Sequence, residues 1–374
     1  MHNTPPIITV AMTAYNHAPF IAEAIESALL QDVQDLEILV VDDASTDETA
    51  AIAEGFMARD SRVRVIRNPR NLGPSGTANE CLRLARGRYF AVFTSDDVFA
   101  PGKLAAQLDY LEKNPRDAIV ATGVTFIDEE SKIITHQRNF AANSFDVKSR
   151  ARGQWMRYFF NCGNNLCASS LMLRTELYRA HQNDRRLLQL QDYDSWVRLV
   201  LAGHGIGMLA APFTRYRILE KQANLSAPTD AVRARALFEY VQVLNRYNTL
   251  SNMQDFLEML PNESPKIPSG VLEEPYIQHR LSMHAWNLKT PQHRMFALNN
   301  WYRIMGHEEW LESLEILGVN VKFLANKSAH YPLAEALRMT PQGVLRRQAE
   351  RWLPAPLRNA IVRGVRNRRE EFAA

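Results

Sequence analysis

Cysteine is scarce in this sequence and unpaired: Cys81, Cys162 and Cys167 are the three in 374 residues. An odd number with no close spacing forms neither a disulfide framework nor a zinc site, and it suits a reducing, cytoplasmic compartment. The histidines, His17 and His204 among them, fall at no metal-ligand spacing. No apolar run approaches a bilayer span, and the N-terminus lacks a charged-then-apolar signal. Membrane contact is therefore expected only from the surface, as a peripheral protein at the inner face. Charge of one sign is lacking as well: 44 Lys and Arg against 41 Asp and Glu leave a net charge of +3, which argues against nucleic acid as the main partner. Glycine is missing from Tyr15-Asn16-His17-Ala18-Pro19, where a nucleotidyltransferase would carry its phosphate loop.

What is present is a strand that ends in acid. Glu37 to Val41 is a short β-branched run without alternation, the pattern of a strand covered on both faces. Asp42 and Asp43 close it. Ser45 and Glu48 stand at capping-box spacing, so a helix is expected to open at once. Carboxylates at the carboxyl end of a buried parallel strand lie where open α/β sheets bind ligands. They accept N–H donors or hold a metal, and they meet phosphate only through a cation.

The same alternation runs through the first part of the chain. Ile7 to Ala14 reads as strand one, and Phe20, Ala24, Ile25, Ala28 and Leu29 as helix one. Val63 to Ile66 is strand three, Ser75 to Ala85 helix three, and Tyr89 to Phe93 strand four, running into Thr94-Ser95-Asp96-Asp97; a fourth helix follows Pro101. Strand–helix alternation predicts an α/β fold, a Rossmann-type sheet sandwiched by helices and built from right-handed crossovers. The two acidic pairs, about fifty residues apart, would then face one crevice. From 118 to 217 the pattern is less regular, with short strands near Ile119 and Leu171 and helices around Trp155 and Trp196. Beyond 227 helical spacing dominates, interrupted by Pro261, Pro265 and Pro268. A catalytic domain over 1–226 and an appended C-terminal α-helical region over 227–374 are the expected organisation.

Tyr15-Asn16, Val41-Asp42-Asp43-Ala44-Ser45-Thr46-Asp47, Asn71-Leu72-Gly73, Ser95-Asp96-Asp97 and Gln191-Asp192 follow one another in an order that resembles the family-2 glycosyltransferases. The resemblance covers approximately the first 225 residues. It implies a GT-A-like fold, an inverting mechanism and a nucleotide-sugar donor, a UDP-sugar being favoured. It further implies that Thr13, Tyr15, Asp42 and Asp43 lie at the base and ribose, and that Asn71, Gly73 and Asn79 shape the loop and helix beside the nucleotide. Ser95 and Asp96 would complete the donor site, with Asp96 and the flanking Asp97 at a divalent metal, Mn²⁺ or Mg²⁺. Asp192 matches the general base, and Asn164 and Asn165 fall on the acceptor side. The sequence departs from the pattern at Thr94, where the family has aspartate, and at Gln191, where it has glutamate. The arginine–histidine loop is represented by Arg217 to Ser226 without its histidine, leaving Arg217 or Lys221 for the diphosphate.

The chemistry of these residue types agrees. Glycosyl transfer must stabilise charge on a departing diphosphate and remove a proton from a hydroxyl; a carboxylate-held cation serves the first need and a carboxylate base the second. Plainer roles exist for each: Asp96 and Asp97 as helix caps, Asp192 as an N-cap with Asp194 as the base, Tyr15 as a core aromatic, Arg67 and Arg70 as a solvated turn. Three other functions compete. A phosphorelay receiver also ends a strand in Asp-Asp, but after its first strand. A nucleotidyltransferase lacks its glycine loop here. A non-catalytic nucleotide- or carbohydrate-binding protein of the same fold would suit Thr94 and Gln191.

The C-terminal stretch 342–369 pairs apolar Leu345, Trp352, Leu357 and Ile361 with arginines 346, 347, 351, 358, 363, 366, 368 and 369. Such a helix is drawn to an anionic membrane surface, which fits a lipid-linked or polysaccharide acceptor in envelope biosynthesis; packing on the catalytic domain, or on a partner such as a second copy in a homodimer, is the other reading.

Overall fold

The computed structural model describes residues 5–134, 145, 148–219 and 230–329. Lys221 and the basic stretch 342–369 lie outside the described residues.

The first four strands are β1 (Ile8–Ala14), β2 (Leu36–Asp42), β3 (Val63–Arg67) and β4 (Tyr89–Thr94), all parallel. They are joined by α1 (Ile21–Leu29), α2 (Thr49–Met57) and α3 (Gly73–Leu84). The second half adds β5 (Val98–Phe99), α4 (Lys103–Lys113), β6 (Asp117–Ile127), α5 (Arg152–Cys162), β7 (Leu171–Arg174), α6 (Thr175–Ala180), α7 (Gln191–Leu201) and β8 (Gly205–Arg217). One eight-stranded sheet results, in the order β3-β2-β1-β4-β7-β6-β8-β5. The chain moves outward from β1 to β2 and β3, then returns to place β4 on the other side of β1. That reversal is the switch point at which such sheets open a crevice.

The expected strands of the parallel half are found within about two residues, because doubly covered strands must be continuous apolar runs. The second half is mixed: β7 is antiparallel to both β4 and β6, and β6 is an eleven-residue strand where a short one was expected. β8, thirteen residues long, went unread because Gly205, Gly207 and Pro212 weaken its strand signal. Irregular register between Thr122 and Val124 accommodates it beside β6.

Both faces of the sheet are covered. On one, Ile8, Val10, Met12, Ile38 and Val40 meet Ile21 and Ile25 of α1 and Leu104 and Leu111 of α4. On the other, Ala11, Leu39 and Val41 meet α3, and beyond it α5 and α7. The later helices are α8 (Asp230–Leu244), α9 (Met253–Met259), α10 (Glu273–Asn287), α11 (Pro291–Ile304), α12 (Leu311–Ile316) and α13 (Val321–Ala329). Val243, Leu244, Tyr247, Ile277, Leu281 and Trp301 share one buried cluster with Trp155, Phe159 and Phe160 of α5. The helical region and the sheet domain are thus welded through α5 and α7. No described helix is long and apolar enough to cross a membrane.

Candidate active site

β1, β2 and β4 end side by side, with Ala14 opposite Asp42 and Thr13 opposite Thr94. Asp43 N donates to Ala14 O at 2.8 Å and Ser95 N to Thr13 O at 3.2 Å, so both acidic pairs emerge on one rim beside Thr13.

Adjacent residues leave a strand in opposite directions, and the two acids of β2 have different fates. Asp43 Oδ1 accepts from Asn68 Nδ2 and Leu72 N, each at 2.8 Å, and Oδ2 from Gly73 N at 3.0 Å. Its carboxylate fastens the turn of Asn71, Leu72 and Gly73, in which Gly73 has φ +73° and Asn71 Oδ1 also accepts from Gly73 N. Asp42 Oδ2 accepts from Ser45 N at 3.1 Å, while Oδ1 is buried with no partner among the described residues. Asp42 therefore keeps one oxygen unengaged among the described residues, while Asp43 is committed to the turn.

The expected capping box does not form. Ser45 Oγ accepts from Asn16 N instead, Asn16 Oδ1 accepts from Thr46 N, and α2 opens only at Thr49, beside Asp47 Oδ1. Asp47 Oδ2 reaches back to Ala18 N. These bonds tie the Tyr15-Asn16-His17 segment to the loop after β2 and leave Tyr15 45 % exposed on the rim, which excludes the core reading. His17 was not anticipated as a site residue. Its Nδ1 lies 2.8 Å from Ser95 Oγ, linking the ends of β1 and β4; its place two residues after Tyr15 was the only available signal.

Asp96 and Asp97 cap no helix, since β5 intervenes before α4. Asp97 is buried: Oδ1 accepts from Arg217 N at 2.9 Å and Oδ2 from Thr94 Oγ1 at 2.7 Å. Burial, reinforced by the neighbouring Asp96 charge, pushes its carboxyl up to about 7. Thr94 thus serves as a donor to Asp97, and Ser169 Oγ in turn approaches Thr94 Oγ1 at 2.9 Å. The Asp96 side chain, by contrast, has no hydrogen bond among the described residues.

Arg217 requires a correction. Its guanidinium is fully buried and spent on the protein: Nε donates to Asp96 O at 2.7 Å, Nη1 to Asp128 O, Glu129 O and Ser131 Oγ, and Nη2 to Glu23 Oε2 at 2.6 Å. Such a residue cannot also serve a diphosphate; it locks β8 under the acidic motif. Arg67 is likewise engaged, with Glu54.

Asp192 lies in the first turn of α7. Its Oδ1 accepts from Tyr193 N at 2.6 Å and its Oδ2 from Asn164 Nδ2 at 3.1 Å. Burial pushes its carboxyl up to about 6 against these stabilising bonds. Asp194 is wholly buried and ion-paired to Arg198 at 2.8 Å and Arg246 at 2.7 Å, so both of its oxygens are committed to a structural arrangement out of reach of solvent. Beside Asp192, both polar atoms of Asn165 and Oε1 of Gln191 are buried without a partner among the described residues. Unmet buried polar groups of this kind are rare in folded proteins.

Two tethers limit how far Asp192 can lie from the acidic rim. The segment from Asn164 to Ser169 leads into β7, whose first residues run antiparallel beside the end of β4, so Ser169 meets Thr94. Five residues span at most about 18 Å. On the other side, Asn79 exchanges two hydrogen bonds with the backbone of Asn183, and Ser75 Oγ donates to Leu187 O, pinning the loop before α7 to α3. Asn79 is therefore consumed in this brace. Glu239 of α8 completes it, accepting from Leu188, Gln189 and Leu190 N. Nothing in the sequence signalled that contact.

Residues 9–176 match the family described as Glycosyl transferase family 2. An uncharacterized glycosyltransferase of Methanocaldococcus jannaschii is 27% identical over 237 residues, covering 63% of this chain and 77% of that one. The chondroitin synthase of Escherichia coli is 36% identical over 135 residues, which are 36% of this chain and 20% of the synthase. Among solved structures, residues 1–349 of Staphylococcus aureus TarS superpose with a TM-score of 0.51 at 18% identity, covering 78% of this chain and 79% of that one, a likeness of GT-A-like fold. With the acid-ended parallel strands inside the matched segment, residues 9–176 form a family 2 glycosyl transferase domain, and the chain is an enzyme that transfers sugar.

Proposed function

We propose that this enzyme is an inverting glycosyltransferase that moves a sugar from a nucleoside-diphosphate donor, a UDP-sugar foremost, to a hydroxyl of a polysaccharide or lipid-linked acceptor. The observation that carries the reading is the division of labour among its carboxylates. Asp43 and Asp97 are buried with both oxygens engaged by the protein, whereas Asp42 Oδ1 and the Asp96 carboxylate have no partner among the described residues and Asp192, with one bond to each oxygen, is only partly buried. Asp42 accepts an N–H or hydroxyl of the nucleoside, and exposed Tyr15 offers a face for the base. The turn from Asn71 to Gly73 shapes the wall, and Ser95, braced by His17, sets the backbone at Asp96.

The donor set suits a divalent cation. One free carboxylate with no nitrogen or sulfur ligand fits Mn²⁺ or Mg²⁺, which retain water and take phosphate oxygens for the remainder of the shell. Asp96 would hold it, and Asp97, pinned by Arg217 and Thr94, fixes the position of Asp96 from behind. The ion supplies neutralisation of charge on the departing diphosphate.

Asp192 takes the proton of the acceptor hydroxyl as that oxygen bonds to the anomeric carbon and the carbon–phosphate-oxygen bond breaks on the opposite side. A carboxyl pushed up to about 6 is a stronger base than an ordinary aspartate and is still ionised at neutral pH. Asn164 orients it, and Asn165 and Gln191 offer polar atoms to the sugar hydroxyls. The test is a panel of nucleotide sugars measured by thermal shift with and without Mn²⁺, on the native chain and on Asp96→Asn. A metal-dependent rise in melting temperature is expected for at least one sugar nucleotide, lost in the variant. Absence of any metal-dependent rise overturns the metal assignment, and absence of any nucleotide-induced rise overturns the donor assignment.

A further inference from the structure

Glu239 belongs to the helical region, beyond the segment that matches family 2, yet its carboxylate is buried, only 6% exposed, and directed at the catalytic loop. It accepts from the backbone N–H of Leu188 at 2.9 Å and of Gln189 and Leu190 at 2.8 Å each. Three consecutive amides close on it as they would on a bound anion, and bonds to a charged acceptor are roughly twice as strong as neutral ones. Leu190 is the residue from which α7 springs, and Gln191 and Asp192 are its first two members. α8 is a firm base for such a fork, since Val241, Val243 and Leu244 are buried. Arg246, in the turn after α8, adds ion pairs to Asp184 and Asp194 on either side of the loop.

We propose that Glu239 is a positioning residue for sugar transfer: through the amides of 188–190, α8 holds the start of α7 so that the Asp192 carboxylate stays against Asn164. The helical region is then part of the catalytic apparatus. The proposal rests on the reading of Asp192 as the base. Among the described residues Glu239 bonds only to backbone, and the donor-side groups at the ends of β1, β2 and β4 are braced by Asn16, Asn68 and Arg217 rather than by Glu239. Displacing the loop should therefore damage the chemical step and leave donor binding alone.

Glu239→Gln is isosteric but leaves one acceptor oxygen for three donors and turns an NH₂ toward an N–H. In the full-length protein, kcat is expected to fall about 10²-fold, the scale of an ångström's displacement of a catalytic group, with donor KM and UDP affinity in Mn²⁺ unchanged. Glu239→Asp, which keeps the charge on a shorter arm, should recover part of that loss. Unaltered kcat in Glu239→Gln overturns the proposal. So does a parallel fall of kcat, UDP affinity and folded signal, which is what a purely structural role would produce. Asp192→Asn serves as the control: its normal turnover would remove Asp192 as the base and this inference with it, whereas an inactive Asp192→Asn beside a fully active Glu239→Gln overturns the positioning role alone.

Discussion

Replacing Asp192 by asparagine should abolish transfer and reverse the sign of its effect on stability with pH. The wild-type carboxyl is pushed from 3.8 to about 6 by burial. A folded-state value above the unfolded one means that the protonated form stabilises the fold. This contribution is complete below about pH 4 and is lost as pH rises through 6. Two units at 1.36 kcal/mol each correspond to about 3 kcal/mol, reduced to roughly 2 because Asp192 retains some contact with solvent. Asparagine escapes that penalty. It has one acceptor oxygen for the two donors, Tyr193 N and Asn164 Nδ2, so it forfeits about 1 kcal/mol at every pH. The net of about 1 kcal/mol should therefore make the variant melt about one degree above the wild type at pH 8 and about one degree below it at pH 4. Differential scanning fluorimetry across that range measures the crossover, and the same samples should show kcat down by about 10²–10⁴-fold with UDP binding intact. A pH-independent difference in melting temperature would refute the burial argument, and normal turnover would refute the base.

The acids of β2 should part company: Asp42→Asn is expected to weaken nucleotide binding about tenfold with little change in melting temperature, because only an unbonded oxygen is altered. Asp43→Ala should instead cost about 2–4 kcal/mol of stability, measured by chemical denaturation, since Asn68, Leu72 and Gly73 lose their common acceptor. Arg217→Gln should destabilise the fold by about 3 kcal/mol or more. A stable Arg217→Gln protein with impaired diphosphate binding would restore the arginine to the donor site.

The parallel half of the sheet was legible in the sequence because its physics is local. Strands covered on both faces must be apolar throughout, and the acids that end them stand out against that background. β8 was illegible for the converse reason: its glycines, alanines and Pro212 carry little strand preference, and pairing with β6 and β5 decides its conformation. The capping-box spacing at Ser45 misled because Asn16, thirty residues earlier, offers that loop better partners.

By itself, then, the sequence determined which strands would be buried, that two acidic pairs would end them, and that Asp192 would open a helix. Only the tertiary structure decided which of these carboxylates retains a free lone pair. Asp42 and Asp43, or Asp96 and Asp97, are indistinguishable as neighbours in a chain; what separates them is whether Asn68, Leu72 and the backbone N–H of the buried Arg217 arrive from other elements to engage one of each pair. Hydrogen-bond capacity is exhausted by partners distant in sequence, and it is the remainder that makes a site.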